Sequence, residues 1–425
     1  MAILSALSIA RSGLIATGDA LGVTSNNIAN VNTTGFKGSR AEFSDLLTAQ
    51  TGGASTGLGV RISGASTSFS QGSIENTGRA TDMAIEGNGF FIVRDGSGQL
   101  FTRAGNFRVD ASGVLTTDEG LPVQGFELDD DLNTIGGLTD ISFANASTEA
   151  EATTQVRLKN NLDAEAPIIA GGFDNTDFDT ANATSNFSTT VKAYDSLGGR
   201  HDLVLFFTKT GAGAWDVNVG VDAGETGGTA GDLSILGTAS LTFDTTGALT
   251  APDPTDVSVT FDGAEAQTIS FDFGTPSAAL GDGLGRNGIV QLASASNVAG
   301  TPDGFAAGAL AGLAVNEEGV VTGVFDNGQS RALYQLGLAG FQAPEGLVAV
   351  GGGLYRESVA SGVPAPGTPE AGGLGRIVGN AIERSNVDLA QEFVDLISLQ
   401  RSFQANARVI TTSDGLLTDL ISIVR

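Results

Sequence analysis

One stretch decides the fold: residues 389–424, which read LAQEFVDLISLQRSFQANARVITTSDGLLTDLISIV. Counting in sevens gives an apolar residue at every step, namely Leu389, Leu396, Phe403, Ile410, Leu417 and Val424. A second row beside it contains Phe393, Ala407 and Ile421, with Gln400 and Asp414 as polar interruptions. Such a repeat keeps one helix face apolar and favours packing against another helix in a left-handed supercoil. The stretch therefore predicts a long heptad helix, capped by Ser385 or Asn386 and with Asp388 in its first turn.

The other end of the chain carries a matching pattern. An apolar residue recurs every seven positions along a predicted helix from about Ala2 to Ile28, at Leu7, Leu14, Leu21 and Ile28. Three glycines within this helix each cost about 1 kcal/mol relative to alanine, so the isolated helix is marginal and needs a packing partner. Two heptad helices at opposite ends of one chain suggest that the termini pack together.

The segment between the helices has the pattern of β-structure. Alternating apolar residues are interrupted by turn sequences every eight to twelve positions, as where Phe90–Val93 leads through Asp95–Gly98 into Leu100–Thr102. Residues 40–50 are the exception, because they suggest a short amphipathic helix followed by a flexible linker over 51–59.

The predicted fold class is thus mainly β with α-helical termini. Residues 1–32 and 378–425 would form a helical coiled-coil domain, and residues 33–70 a connecting segment. Residues 71–147 and 297–377 would form an inner β domain, and residues 148–296 an outer β domain inserted into it.

Composition excludes several classes of function. The chain has 425 residues, no cysteine and a net charge of -27, so disulfides and thiolate metal sites are impossible. The two end segments are nearly neutral, and the acidity lies in residues 41–379. Nucleic acid would be repelled by this acidity. No apolar run reaches the ~20 residues that a membrane-spanning helix needs. The apolar N-terminal stretch has no preceding basic residue, so no cleaved signal peptide is expected.

The residues that could carry catalysis or bind a cofactor or metal are few. His201-Asp202 offers a histidine next to a carboxylate, but no nucleophile follows at a catalytic spacing, and a hairpin-edge histidine is the expected role. Gly53–Gly57 matches a nucleophile-elbow pattern without the strand and helix that such an elbow requires. Four residues occupy calcium-loop positions one, three, five and twelve, where a solvated acidic turn is expected because the required glycine and flanking helices are missing: Asp129, Asp131, Asn133 and Asp140. We therefore expect no enzyme activity, no cofactor and no metal.

The terminal helices allow two interpretations. They could form an intramolecular pair that covers a globular core, or they could pack against further copies of the chain. A C-terminal helix of this length would extend on the order of 55–60 Å at about 1.5 Å per residue, and one pairing would leave much of its apolar surface open. Exposed apolar surface on marginal helices favours self-association.

Both ends contain longer signatures. Residues 25–37, SNNIANVNTTGFK, resemble the N-terminal signature of bacterial flagellar rod and hook proteins. Residues 385–389, SNVDL, and 399–407, LQRSFQANA, resemble their C-terminal signature. The stretches AYDSLG at 193–198, LAGF at 338–341 and PEGL at 344–347 are similar to the β domains of hook proteins. The residues that carry the terminal signatures are Asn26, Asn27, Asn30, Thr34, Gly35, Phe36, Asn386, Gln400, Arg401 and Asn406.

This resemblance implies a structural subunit that polymerises outside the cell into a curved helical tube. The tube would act as a universal joint that transmits motor torque to the filament. The partners implied are further copies of the chain, the distal rod protein, the hook-filament junction protein, the hook cap and the export apparatus. Neither nucleic acid nor membrane insertion is implied. Two alternatives stay open. A distal rod protein would share both terminal signatures. A secreted β-rich hydrolase or adhesin would explain the acidic middle of the chain but not the two heptad helices.

Overall fold

The computed structural model describes residues 2–47, 57–96, 98–251, 255–277 and 285–423. These residues fall into two compact units. The first unit takes residues up to Ala146, Leu310–Val324 and the chain from Ser330 onward. The second unit takes Ser147–Ala309 and Phe325–Gln329. The mainly β fold with helical termini is confirmed.

The N-terminal part of the first unit contains one long helix and ten strands. They are α1 Ala2–Ala29, β1 Ser39–Leu47, β2 Gly57–Thr67, β3 Ile74–Asn76, β4 Met83–Glu86, β5 Phe90–Asp95, β6 Gly98–Thr102, β7 Arg108–Val109, β8 Leu115–Thr116, β9 Gln124–Leu128 and β10 Thr134–Asp140. The predicted hairpin from Phe90 to Thr102 is present as the antiparallel pair β5 and β6.

The prediction of a short helix over 40–50 is wrong for residues 40–47, and residues 48–50 lie outside the described part of the chain. Residues 39–47 form β1, which pairs antiparallel with β2, and the hairpin lies along α1. Backbone N–H of Val60 donates to the Ser12 hydroxyl of α1 across this contact, at 3.2 Å. The amphipathic pattern of 40–50 is compatible with either a helix or a strand. The segment forms a strand because β2 is placed to pair with it. Residues 51–56 of the predicted linker lie outside the described residues, and 57–59 begin β2.

The described residues of the second unit form strands, one short α-helix and a 3-10 helix at Ala223–Thr226. Its elements are β11 Ser147–Thr148, β12 Gln155–Asp163, α2 Phe178–Ala183, β13 Phe187–Tyr194, β14 Arg200–Gly211, β15 Ala214–Asp222, β16 Leu233–Phe243, β17 Leu249–Ala251, β18 Thr255–Thr260, β19 Ala266–Asp272, β20 Ile289–Leu292 and β21 Ala299–Pro302. Strands β13 to β17 form an antiparallel meander, and the sheet β18-β19-β12-β20 accompanies it. Trp215, Phe207 and Phe271 are fully buried in the core of this unit.

This second unit extends further along the chain than the predicted outer domain. It continues past residue 296 because β21 pairs antiparallel with β12, which brings residues 299–302 into the unit. Spacing of apolar residues alone does not reveal this pairing, since the two strands are separated by more than a hundred residues.

The chain then completes the first unit. Its remaining elements are β22 Gly308–Val315, β23 Val320–Phe325, β24 Ser330–Leu336, β25 Leu338–Gly340, β26 Val348–Gly351, β27 Leu354–Arg356, β28 Ala365–Gly367, β29 Arg376–Gly379, β30 Ala381–Glu383 and α3 Leu389–Ile423. Later strands pair with earlier ones, as in β29 with β4 and β30 with β3, so the core is assembled from both parts of the chain. Phe91, Phe107 and Leu336 are buried in it.

Helix α3 begins at Leu389, two residues later than a cap at Asn386 would place its start and three later than a cap at Ser385 would. The Asp388 carboxylate accepts hydrogen bonds from the backbone N–H groups of Ala390 and Gln391, at 2.8 and 3.3 Å, so Asp388 is the cap. Asn386 has another role, because its side chain joins the segments at Gly38 and Ser68. Among the described residues, no helix has the length and apolar character needed to cross a membrane.

Candidate assembly surface and the joint between the chain ends

The two terminal helices pack against each other in antiparallel directions. The amide of Asn27 donates to the Glu392 carboxylate at 2.9 Å, and Gly13 lies against the side chain of Asn406. The two contacts are 27 − 13 = 14 residues apart on α1 and 406 − 392 = 14 apart on α3. The register therefore stays constant along the pair.

Small residues line the buried face of α1. Apart from Asn27, the buried positions are Ala10, Gly13, Ala16, Thr17, Ala20 and Thr24. Short side chains let α3 and the β1–β2 hairpin approach the helix closely. A Cβ at Gly13 would lie 2.8 Å from Nδ2 of Asn406, which is closer than a Cβ normally approaches an unbonded heavy atom. The predicted row on α1 lies beside this face and is only half-buried: Leu7, Leu14, Leu21 and Ile28.

One row of α3 faces this small-residue surface. Its members are buried or half-buried and fall alternately four and three residues apart: Glu392, Leu396, Leu399, Phe403, Asn406, Ile410, Ser413 and Leu417. Four members of the predicted first row belong to it. The predicted second row lies outside it, since Phe393, Gln400 and Asp414 are exposed and only Ala407 is half-buried. The side chain of Ile421 lies outside the described part of the chain. The coiled-coil geometry of the pair stays a prediction.

The outer surface of α3 keeps large apolar residues in contact with solvent. Phe393 is 51% exposed and Val394 is 61% exposed. The other exposed apolar residues of this helix are Leu389, Ile397, Val409 and Leu416. On α1, Ile9 and Ile15 are exposed as well. We call the exposed apolar residues of α1 and α3 the outer apolar surface. Surface of this kind along a long helix pair is typical of a protein interface.

Signature residues in the last turn of α1 and in the segment after it fix the path of the chain. The side-chain amide of Asn27 forms two hydrogen bonds with the backbone of Ser39. Its Nδ2 donates to the Ser39 carbonyl at 2.7 Å, and its Oδ1 accepts from the Ser39 N–H at 3.0 Å. Gly35 has φ of 66°, in the left-handed region, and its N–H donates to the carbonyl of Glu383 at 2.8 Å. A side chain at Gly35 would overlap the backbone of Ala104. Only glycine fits this position.

The remaining signature residues divide between half-buried and exposed positions. Asn26 and Asn30 bond each other at the exposed end of α1, with Nδ2 of Asn30 donating to Asn26 at 2.9 Å. Thr34 and Phe36 are half-buried. Gln400 and Arg401 are exposed on α3, and their side chains form no hydrogen bond or ion pair with the described residues.

Sequence reasoning missed a buried ionic cluster that joins the two chain ends to the β core. Nζ of Lys37 lies 2.7 Å from one carboxylate oxygen of Glu383, and Nη1 of Arg103 lies 3.4 Å from the other. The side chains of Lys37 and Glu383 are fully buried, and that of Arg103 is 3% exposed. Lys37 also donates to the carbonyl of Ser70 at 2.8 Å. We call Lys37, Glu383 and Arg103 the terminal joint.

Burial controls the electrostatics of this joint. Desolvation lowers the pKa of Lys37, and the hydrogen bond to Glu383 opposes that shift only in part. Desolvation likewise lowers the pKa of Arg103. Two cations share one carboxylate, so the cluster holds an excess positive charge inside an acidic protein. The presence of Lys37 in the N-terminal signature was the available signal, but nothing in the sequence identified Glu383 as its partner.

The second unit positions His201 between two carboxylates. Nε2 lies 3.1 Å from Asp195, Nδ1 lies 2.8 Å from Glu225, and the ring stacks on Phe261 with centroids 3.6 Å apart. The predicted neighbour Asp202 instead pairs with Arg200 on the surface, at 3.6 Å. Burial raises the pKa of Asp195, but hydrogen bonds from His201 and the N–H groups of Gly199 and Leu197 outweigh it and hold that pKa below its usual value.

The predicted acidic turn is a tight loop between β9 and β10. The Asp129 carboxylate accepts from the backbone N–H of Asn133 and of Asp131, at 2.7 and 3.0 Å. These bonds hold the pKa of Asp129 below its usual value. Among the described residues, no group of three or more histidine and acidic side chains is placed to hold a metal ion.

Comparison with known families defines the class of protein. The family described as "Flagella basal body rod protein" matches residues 7–37, and the family described as "Flagellar basal body rod FlgEFG protein C-terminal" matches residues 378–423. "Flagellar hook protein FlgE/F/G D1 domain" matches 84–157, and "Flagellar basal body protein FlaE D2 domain" matches 161–305. The two helices and both β units thus belong to the rod and hook proteins of the flagellar axis.

Full-length relatives are more specific. The flagellar hook protein FlgE of Escherichia coli strain K12 is 35% identical over 98% of this chain and 100% of its own length. FlgE of Treponema pallidum is 34% identical over 95% of this chain and 96% of its own. A crystal structure of Helicobacter pylori FlgE2 covers 73% of this chain and 99% of that one, at 17% identity and a TM-score of 0.45, so the assignment is carried by the sequence relatives. The chain belongs to the flagellar hook protein family, as a structural subunit of the hook; the distal-rod alternative is not favoured.

Proposed function

We propose that this chain polymerises through its outer apolar surface into the curved tube of the flagellar hook. In this polymer the α1–α3 pairs of neighbouring copies form the inner layer, and the β units lie outside. The tube transmits torque while it bends, and it has no enzyme activity. One observation carries the proposal: α3 keeps Phe393, Val394 and Ile397 exposed after it has packed against α1.

In this proposal the predicted helical domain forms the inner layer and the two predicted β domains lie outside it. The predicted site residues divide into those that make contacts within one copy and those that make contacts between copies. Leu396, Phe403, Ile410 and Leu417 hold the two helices of one copy together, whereas Phe393 and Leu389 contact other copies. The half-buried row on α1 completes the surface between copies: Leu7, Leu14, Leu21 and Ile28. The partners at the two ends of the tube are the distal rod protein and the hook-filament junction protein, with the hook cap and the export apparatus acting during assembly.

The strength of one contact can be worked out from exposure. Phe393 has about half of its side chain in solvent, so covering it removes on the order of 100 Å² and contributes about 2.5 kcal/mol. Losing that contribution raises the critical concentration for polymerisation about 60-fold. A carboxylate at this position adds a desolvation cost, so Phe393→Asp should abolish polymer at concentrations where the unchanged protein assembles.

The test compares Phe393→Asp with Gln404→Asp, which places the same carboxylate at a position of α3 that is already polar and exposed. Electron microscopy and sedimentation measure the polymer, and circular dichroism checks that the monomer is folded. Phe393→Asp should leave soluble, folded monomer, while Gln404→Asp should form tubes. Normal tubes from Phe393→Asp would refute the assignment of this surface. Phe403→Asp should also abolish tubes, but through loss of the α1–α3 pair within each monomer.

His201 separates this proposal from an enzyme function. His201→Gln removes the imidazole while keeping a polar side chain of similar reach. We expect tubes of normal appearance from this variant, measured by electron microscopy. A loss of assembly with an intact second unit would contradict the assignment of His201 to the interior of that unit.

A further inference from the structure

A surface cavity of the first unit has an unusual lining for so acidic a chain. It has a volume of about 510 Å³. Its walls include the aromatic rings of Phe69, Phe90 and Phe341, and its polar lining includes Asn88 and Gln342. Arg103 is its one charged lining residue, although the chain carries 48 acidic residues against 21 basic ones. The size is that of a ligand cavity, and the lining combines aromatic rings with polar groups.

The guanidinium of Arg103 has unused hydrogen-bonding capacity. Nη1 donates to Glu383 and to the carbonyl of Ile85, both at 3.4 Å, and Nη2 donates to the carbonyl of Gly87 at 2.7 Å. Nε is buried and has no acceptor within the described residues. A buried N–H without an acceptor is costly, and Nε together with Nη2 forms the edge that binds a carboxylate in bidentate fashion.

The charge at the cavity also favours an anionic ligand. Lys37 and Arg103 share the single carboxylate of Glu383, so the terminal joint has an excess positive charge, and its Arg103 lines the cavity. Phe90 already stacks under the guanidinium, with Cζ 5.3 Å from the ring centroid. A ligand that satisfies this arrangement has an anionic head for Arg103 and an apolar body for the phenylalanines.

We propose that this cavity binds a carboxylate carried on an apolar group, and that in the polymer an acidic side chain of a second copy of this chain supplies it. The second copy is chosen on charge, because with a net charge of -27 each copy presents mainly carboxylates to its neighbours. Val363, which lines the cavity and is 85% exposed, gives the incoming segment an apolar contact. The choice of occupant rests on the proposed function, whereas the anion site in the monomer does not.

The monomer is tested first with a small probe. We expect 4-phenylbutyrate to bind the full-length monomer, as measured by ligand-observed NMR, and 4-phenylbutan-1-ol to bind at least about tenfold more weakly, since it lacks the charge. Gln342→Glu and Gln342→Lys change the charge at an exposed position of the lining without touching the core. They should weaken and strengthen phenylbutyrate binding respectively, by about 3- to 10-fold. Arg103→Met should abolish binding if the variant is folded.

Equal affinity for the acid and the alcohol, no binding of either, or no response to the two Gln342 variants would each overturn the anion site. The second copy is tested by repeating the titration on assembled tubes, where a neighbouring side chain should exclude the probe. Tubes that bind phenylbutyrate as well as the monomer does would overturn the second copy as its source. A chain that forms no tubes would refute the proposed function, while the monomer titration would still decide the cavity.

Discussion

Replacing Glu383 by glutamine tests whether the terminal joint holds the chain ends to the β core. Glutamine keeps the shape of the side chain but removes the negative charge that Lys37 and Arg103 share. Both cations remain buried, and the backbone N–H of Gly72, which donates to the Glu383 carboxylate at 2.8 Å, loses a charged acceptor. The change therefore leaves two desolvated cations without a counter-ion.

Breaking a buried ion pair from one side costs about 3–5 kcal/mol, because the partner charge cannot return to water without unfolding. With a urea slope of about 3 kcal/mol/M for a unit of this size, the midpoint of unfolding should fall by about 1–2 M. The loss should be confined to the first unit, which contains all three residues.

The chain offers its own internal reference for this measurement. Its one tryptophan, Trp215, is buried in the second unit, so tryptophan fluorescence follows that unit alone. Hydrogen exchange measured by mass spectrometry follows the first unit, at α1 and at β30. We expect Glu383→Gln to accelerate exchange in the first unit and to leave the Trp215 transition unchanged.

Glu75→Gln is the matched control, because Glu75 pairs with Arg384 at 3.4 Å on the exposed side of the same region. A surface pair contributes at most about 1 kcal/mol, so this variant should unfold close to the unchanged protein. Equal, small effects of the two substitutions would refute the view that burial makes the joint structurally important.

Three further predictions concern backbone conformation, side-chain bridging and pH. In urea unfolding, Gly35→Ala should destabilise the first unit by clearly more than Gly78→Ala. Both glycines have positive φ, at 66° and 71°, but only at Gly35 would a Cβ collide with backbone atoms. Equal losses of stability in the two variants would show that the strain of a positive φ alone matters. Asn386→Ala should speed hydrogen exchange around residues 36–39 and 68–70, because the side chain accepts from Gly38 and donates to the Ser68 carbonyl at 2.8 and 2.9 Å; unchanged exchange there would contradict the bridge. The second unit should lose stability as the pH falls below about 4, because the pKa of Asp195 is lower in the folded than in the unfolded chain. The Asp195 carboxylate therefore contributes fully to stability above its unfolded pKa. This contribution disappears as the pH falls through the folded pKa. Melting followed by Trp215 fluorescence between pH 7 and pH 3 measures this loss, and Asp195→Asn should flatten it; an equally steep loss in the variant would assign it to other groups.

The sequence alone was sufficient for features that depend on local periodicity. The seven-residue repeat predicted both terminal helices, and the Asp95–Gly98 turn predicted the β5–β6 hairpin, since side-chain spacing decides which face each element buries. The signatures around Gly35 and Asn386 indicated the family before any contact was known. They did so through residues that the structure shows to be constrained by conformation or bonding.

Only the tertiary structure decided which residues meet over long separations. Residues 40–47 form a strand because they pair with β2 and pack along α1. The small-residue face of α1 is the buried face because α3 approaches it closely at Gly13. Likewise, Lys37 and Glu383 are 383 − 37 = 346 residues apart, and neither position shows a pattern that identifies the other. Periodicity reports the face that an element buries, but a buried charge and its partner are matched only when the folded chain brings them together and excludes water.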